Sequence, residues 1–185
     1  YTRFEADGES YPNRVIVATE THPTTVDRGC AGVTGNPHVI GGFTWTGGGS
    51  LGEAGIGRTA YGEAVGGLGM SAFHGDFPWA VAGCGDLDIT GHRRPQSYFR
   101  EIVFGLRADP YVAVLRPEHH GRPLSHAGPW SWSDVVSSWS WGGHEGKAVT
   151  VEVYADADEV ELVVNGRSLG RQPAGADHRF KALFE

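Results

Sequence analysis

Two kinds of hydrophobic pattern follow one another along the chain. The early runs are continuous: Arg14-Val15-Ile16-Val17-Ala18-Thr19-Glu20 is apolar over four residues and then reaches a carboxylate, and Val39-Ile40-Gly41-Gly42-Phe43-Thr44-Trp45 has the same form and ends in an indole. Runs of this kind predict strands buried on both faces, as in a parallel sheet, where strict alternation disappears. Residues 21–38 are long enough for the crossover that a parallel pair requires, but they are poor in helix formers, which predicts a short, irregular helix. Residues 1–13 are polar and predict a loop leading into the first strand. Beyond Trp45 the chain becomes too glycine-rich for regular structure, and a long loop is expected as far as Gly75. The spacing of Tyr98, Phe99, Ile102, Val103 and Leu106 predicts a helix over 95–106, with Pro95 in its first turn and Asp109-Pro110 closing it.

A connector bearing prolines and tryptophans follows over 111–141, and from Lys147 the period becomes two. Val149, Val151 and Val153 alternate with Thr150, Glu152 and Tyr154, and Val160, Leu162 and Val164 alternate with Glu159, Glu161 and Val163. Asp156-Ala157-Asp158 turns the chain between these runs, and Asn165-Gly166 before Arg167-Ser168-Leu169 is a strong hairpin signal, because a type I′ turn needs positive φ at both central residues. An antiparallel sandwich is expected to begin here, with few of its strands visible before Glu185.

Composition narrows the picture. With 22 acidic residues against 15 basic and a formal charge of -7, nucleic acid and anionic membrane surfaces are disfavoured as partners. No apolar run approaches membrane-spanning length and no signal peptide opens the chain, which begins at Tyr1 without an initiator Met and reads as cut from something longer. Cys30 and Cys84 belong to no CxxC pattern and are expected as two buried free thiols, and a cytoplasmic setting is slightly favoured over a secreted one. The adjacent His119 and His120 point to opposite faces of an extended segment, so a solvated loop is the better reading than a metal site. The 29 glycines and 6 tryptophans fit a strand-based protein whose loops carry a binding surface.

The candidate chemistry lies at the strand ends. Sites in parallel sheets sit at the carboxyl ends of the strands, so Glu20 and Trp45 would share one floor. There a carboxylate can attack or stabilise an oxocarbenium-like centre while an indole stacks on a pyranose. The simpler alternative is that each strand ends in a polar residue because the chain is leaving the core. Trp79 likewise fits packing as well as ligand contact.

Four segments, taken together and in order, resemble the C-terminal part of a glycoside hydrolase family 2 enzyme of the β-galactosidase type. They are residues 15–22 (VIVATETH), 39–57 (VIGGFTWTGGGSLGEAGIG), 85–101 (GDLDITGHRRPQSYFRE) and 149–170 (VTVEVYADADEVELVVNGRSLG). The resemblance implies an α/β fold followed by an all-β one: residues 1–115 as the C-terminal part of a (β/α)8 TIM barrel, and 116–185 as a connector and the start of an immunoglobulin-like β-sandwich. It implies that Glu20 is the nucleophile at the end of the seventh barrel strand and that Trp45 lines the sugar subsite at the end of the eighth. His22 and Glu53 fall near the pocket, while Asp86 and Asp88 fall in a loop before the last helix, where a structural role is as natural.

The implied mechanism is retaining: one carboxylate attacks the anomeric carbon, and a second protonates the leaving group and then activates water. That second carboxylate belongs to an Asn-Glu pair expected upstream of Tyr1, so this chain alone would be inactive. The implied partner is a β-linked galactoside or oligosaccharide, with no cofactor required and a homo-oligomer allowed in the parent. The family usually carries an aromatic-Asp-Tyr triplet where this chain has Gly48-Gly49-Ser50, and the chain lacks the Asn-Lys motif that follows the corresponding tryptophan in glucuronidases. A noncatalytic carbohydrate-binding module, or a sandwich that only buttresses a barrel, is the alternative reading.

Overall fold

The computed structural model describes residues 3–52, 55–62, 75 and 79–185. The described residues form two compact units: 3–52, 55–58, 75, 79–92 and 128–132 make the first, and 59–62, 93–127 and 133–185 the second. The described residues are mixed α/β, with more strands than helices among them.

In the first unit the two continuous apolar runs pair as parallel strands, β1 (Ile16–Thr21) and β2 (Val39–Thr44). The crossover is a 3-10 turn at Pro23–Thr25 followed by the helix α2 (Val26–Gly35), whose last turn is closed by the Asn36 side-chain amide donating to Gly32 O at 2.9 Å. This segment is more regular than its composition predicts. Residues 1–13, expected as a loop, include the helix α1 (Phe4–Ser10). Its sequence, FEADGES, carries one buried apolar residue, so propensity gave no signal. Tertiary contact supplies the stability: Phe4 packs with Ala18 and Val39, and the His38 ring meets the Phe4 carbonyl at 2.7 Å.

The expectation that both strand faces are buried does not hold within this chain. Ala18 and Val39 are buried against α1 and α2, but Val17, Ile40 and Phe43 are exposed, the last two by 71% and 65%. The helices cover one face of a two-stranded sheet, and nothing among the described residues covers the other.

The second unit is built on a four-stranded antiparallel sheet in the order β10-β7-β4-β6, with β4 at Tyr111–Leu115, β6 at Val135–Val136, β7 at Val151–Tyr154 and β10 at Lys181–Phe184. The predicted hairpin is present as β8 (Glu159–Val164) and β9 (Arg167–Pro173), with φ of 51° at Asn165 and 76° at Gly166, as a type I′ turn demands. Leu162 of the hairpin and Ala174 just beyond it share a core with Val114, Val151, Val153 and Phe184. Period-two alternation predicts a half-buried β7, yet all four of its residues are buried. The reason is the predicted helix, observed as α3 (Pro95–Val103), which covers the opposite face. There Phe99 meets Tyr154 edge to face at 5.4 Å, and the Tyr154 hydroxyl donates to Glu152 at 2.7 Å. Lys181 pairs with the same carboxylate at 3.1 Å, which satisfies a charge that burial alone would disfavour.

A short pair, β3 (Thr59–Tyr61) with β5 (Leu124–Ala127), completes this unit. His119 does not lie in a solvated loop: its ring stacks on Tyr61 at 4.2 Å and its Nε2 stands 3.6 Å from the Asp134 carboxylate. Cys30 and Cys84 form no disulfide; Cys84 is wholly buried as expected, whereas Cys30 is only half-buried. Among the described residues, no helix is long and apolar enough to cross a membrane.

Two glycines of α2 give opposite expectations. A Cβ at Gly29 meets nothing within 4 Å, whereas one at Gly32 would stand 2.5 Å from the Phe4 ring. Gly29→Ala is expected to stabilise the chain by about 0.5–1 kcal/mol through helix propensity. Gly32→Ala is expected to destabilise it by about 1–3 kcal/mol through overpacking. Denaturant unfolding of the two variants checks both signs.

Candidate functional site

Strict alternation along β1 would place Glu20 with Ile16 and Ala18, on the face that α1 and α2 cover. The register prevents this. Ala18 pairs with Gly42 and the next pair is Thr21 with Thr44, so β1 advances by three residues while β2 advances by two. This is a bulge-like register irregularity, of the kind that re-aims side chains, and it offsets an opposite shift between Ile16 and Val17, where β1 advances by one residue and β2 by two. Thr19 and Glu20 are accordingly both exposed, directly after buried Ala18.

Trp45 is fixed next to this bulge. Its backbone N–H donates to Thr21 O at 3.1 Å, and the Thr21 hydroxyl donates to Phe43 O at 2.9 Å. The two candidate residues therefore flank the last rung of one parallel ladder, Glu20 just before Thr21 and Trp45 just after Thr44. The Trp45 side chain is 39% exposed, and the peptide bond that follows it is cis. An exposed carboxylate and an exposed indole at the carboxyl ends of paired strands are chemically suited to a sugar ring.

His22 is held differently. Its carbonyl accepts from the Thr25 N–H at 3.1 Å, and its ring meets Trp130 edge to face at 4.5 Å. Trp130 is buried with Ile56, Ala82 and Cys84, and the segment carrying it is tied down by Thr24 Oγ1 donating to Pro129 O at 2.9 Å. The sequence placed Trp130 in a connector; no local pattern signals that 128–132 belong to the first unit. Glu53 lies outside the described residues.

The glycine-rich stretch after Trp45 is ordered by backbone contacts. Asp86 N donates to Thr46 O and Leu87 N to Gly47 O, both at 3.0 Å, while Gly49 N donates to Leu87 O at 2.7 Å and Ala82 N to Ser50 O at 2.9 Å. The Thr46 hydroxyl closes onto Gly48 O. Asp88 has a structural role: one carboxylate oxygen accepts from Thr90 N at 2.8 Å, Thr90 Oγ1 at 2.7 Å and His92 N at 2.9 Å. Among the described residues, no group of three or more His, Cys, Asp or Glu could hold a metal ion.

Comparisons with known proteins follow the same lines. Along 98% of its length the chain is similar to a glycosyl hydrolase family 2 member from Bacteroides cellulosilyticus, with 36% identity and a TM-score of 0.79, and it spans 23% of that chain. A second family 2 structure, from Bacteroides cellulosilyticus DSM 14838, is 31% identical over 98% of the chain with a TM-score of 0.70, and 20% of it is spanned. A curated protein of Formosa agariphila, named "Putative beta-glucuronidase", is 29% identical over 139 residues, which are 75% of this chain and 10% of that protein. Residues 146–185 match a family described as a domain of unknown function, DUF4982. The chain thus resembles glycoside hydrolase family 2 along nearly its whole length, as its motifs indicate, and corresponds to less than a quarter of those relatives.

Asp88→Ala is expected to lower stability by about 1–2 kcal/mol by leaving the turn's donors without their acceptor, and Asp88→Asn to lose less. Equilibrium unfolding of both variants, with wild type alongside, checks the order.

Proposed function

We propose that the chain is part of the catalytic region of a retaining β-glycosidase, with Glu20 as the nucleophile and Trp45 as the stacking surface of the sugar subsite. The observation that supports this reading is the register shift between Ala18 and Thr21, with Glu20 exposed one residue before the Thr21–Thr44 pair that Trp45 follows. In the proposed reaction a Glu20 oxygen attacks the anomeric carbon as the glycosidic bond breaks, and an acid from outside residues 1–185 protonates the leaving oxygen. Water then attacks the glycosyl ester, gives its proton to that second carboxylate, and frees the sugar with retained configuration. Without the second carboxylate the isolated chain is inactive. His22, held against Trp130, would border the pocket, and Glu53 is assigned near it from the resemblance alone.

In the same reading, β1 and β2 are the last strands of a TIM barrel, and the exposed Val17, Ile40 and Phe43 are the surface against which its other strands pack. An isolated two-stranded parallel sheet with one open face is otherwise disfavoured. Residues 116–185, with β6, β7, β10 and the β8–β9 hairpin, are the connector and the beginning of an immunoglobulin-like sandwich. For the substrate we favour a neutral β-galactoside, because no Asn-Lys pair follows Trp45 to bind a carboxylate. The name of the Formosa relative favours a β-glucuronide instead.

The test is hydrolysis of chromogenic β-glycosides by a full-length protein containing this chain. Glu20→Ala is expected to lose activity by at least about 10³-fold and to recover part of it with azide, yielding the inverted glycosyl azide. Unchanged activity in the folded variant would remove Glu20 from the mechanism. Faster turnover of a β-glucuronide than of the matching β-galactoside would overturn the substrate assignment alone.

A further inference from the structure

Gly49 and Gly85 meet where two backbones touch. A Cβ on Gly85 would overlap the amide nitrogen of Gly49 and stand 2.5 Å from the Gly48 carbonyl carbon and 2.6 Å from Leu87 O; one on Gly49 would stand 3.1 Å from Ala82 O. Neither residue is among the glycines with positive φ, so the demand is for space and not for a special conformation. The strand-like stretch 82–88 is gripped from its other side too. Gly57 approaches Cys84 N, where a Cβ would stand at 2.6 Å, and Gly83 N donates to Ile56 O at 2.5 Å. Ala82 and Cys84 are themselves buried with Ile56 and Trp130.

We propose that Gly85 and Gly49 are positioning residues for Trp45. This rests on the reading above, in which Trp45 stacks on the sugar. The ladder between 46–50 and 82–88 begins one residue after Trp45, at Thr46 O, so the backbone that carries the indole is held on both sides: by Thr21 O on the Trp45 N–H, and by Asp86 N on the next carbonyl. The second hold exists only because two side-chain-free residues let the backbones close to hydrogen-bonding distance. The glycines therefore act on the sugar only through Trp45.

The test is a double-mutant cycle in the full-length protein, reading kcat and KM separately on a chromogenic β-glycoside. Gly85→Ala is expected to lower kcat/KM by about 10²-fold, the scale of an ångström-sized misplacement in a site. Gly49→Ala, which meets only one carbonyl at 3.1 Å, is expected to fall less and serves if Gly85→Ala does not fold. Gly29→Ala, remote from the ladder, keeps wild-type kinetics. Because the glycines work through the indole, Gly85→Ala combined with Trp45→Ala is expected to be no slower than Trp45→Ala alone, which a general loss of structure would not produce. Losses that multiply, or wild-type kinetics in folded Gly85→Ala and Gly49→Ala, would overturn the assignment. A wild-type protein inert on every β-glycoside would instead sink the functional reading, and this assignment with it.

Discussion

The structure turns on the register shift between Ala18 and Thr21 in β1. A strand that feeds a helix-covered layer must alternate, and alternation would aim Glu20 into the packing of α1 and α2, where an unpaired carboxylate costs several kcal/mol. The slip in register between Ala18 and Thr21 resolves the conflict. It keeps Ala18 buried, turns Glu20 out, and leaves Thr21 in place to accept from Trp45. The fold and the proposed chemistry thus depend on the same rung of the ladder: without it, Glu20 and Trp45 would have no common frame.

Around this rung the glycines serve as contacts. A glycine-rich run normally loses more entropy on folding than it regains, because it has no side chains to pack. Here main-chain hydrogen bonds replace packing, from Thr46 O through Gly49 N to Ser50 O, and the partner strand is fixed by burial of Ala82 and Cys84. The same logic explains Gly32, which makes room for the Phe4 ring and so allows a helix with one buried apolar residue to persist. The departure from the family's aromatic-Asp-Tyr triplet is therefore compatible with an ordered loop. What it changes is the chemistry offered beside Trp45, where the chain presents peptide groups in place of rings and a carboxylate.

Much of this was legible in the sequence, for identifiable reasons. The runs ending at Glu20 and Trp45 announced themselves as strands because their apolar density leaves few other structures, and the Asn165-Gly166 turn because its backbone angles exclude most residues. The helix beginning at Pro95 followed from its stripe, although it stops at Val103. Three features were not legible. The bulge has no signature in residue type, since Thr19 and Glu20 are ordinary on a strand. The helix α1 depends on a ring reaching Gly32 and on His38, both distant in sequence. Burial of Glu152 and Tyr154 required knowing that α3 covers the second face of β7, and a period-two pattern reads such a face as solvent. In each case the deciding contact is tertiary.

The central claim is that the carboxylate turned out by the bulge forms the covalent bond to the sugar. The most direct measurement is to incubate the full-length protein with an activated 2-deoxy-2-fluoro-β-glycoside, which slows release of the glycosyl-enzyme, and to locate the label by mass spectrometry of the digested protein. The expected result is a single fluoroglycosyl adduct on Glu20, within the peptide that contains residues 15–22. An adduct on any other carboxylate, with Glu20 unmodified while the enzyme is inactivated, would contradict the account.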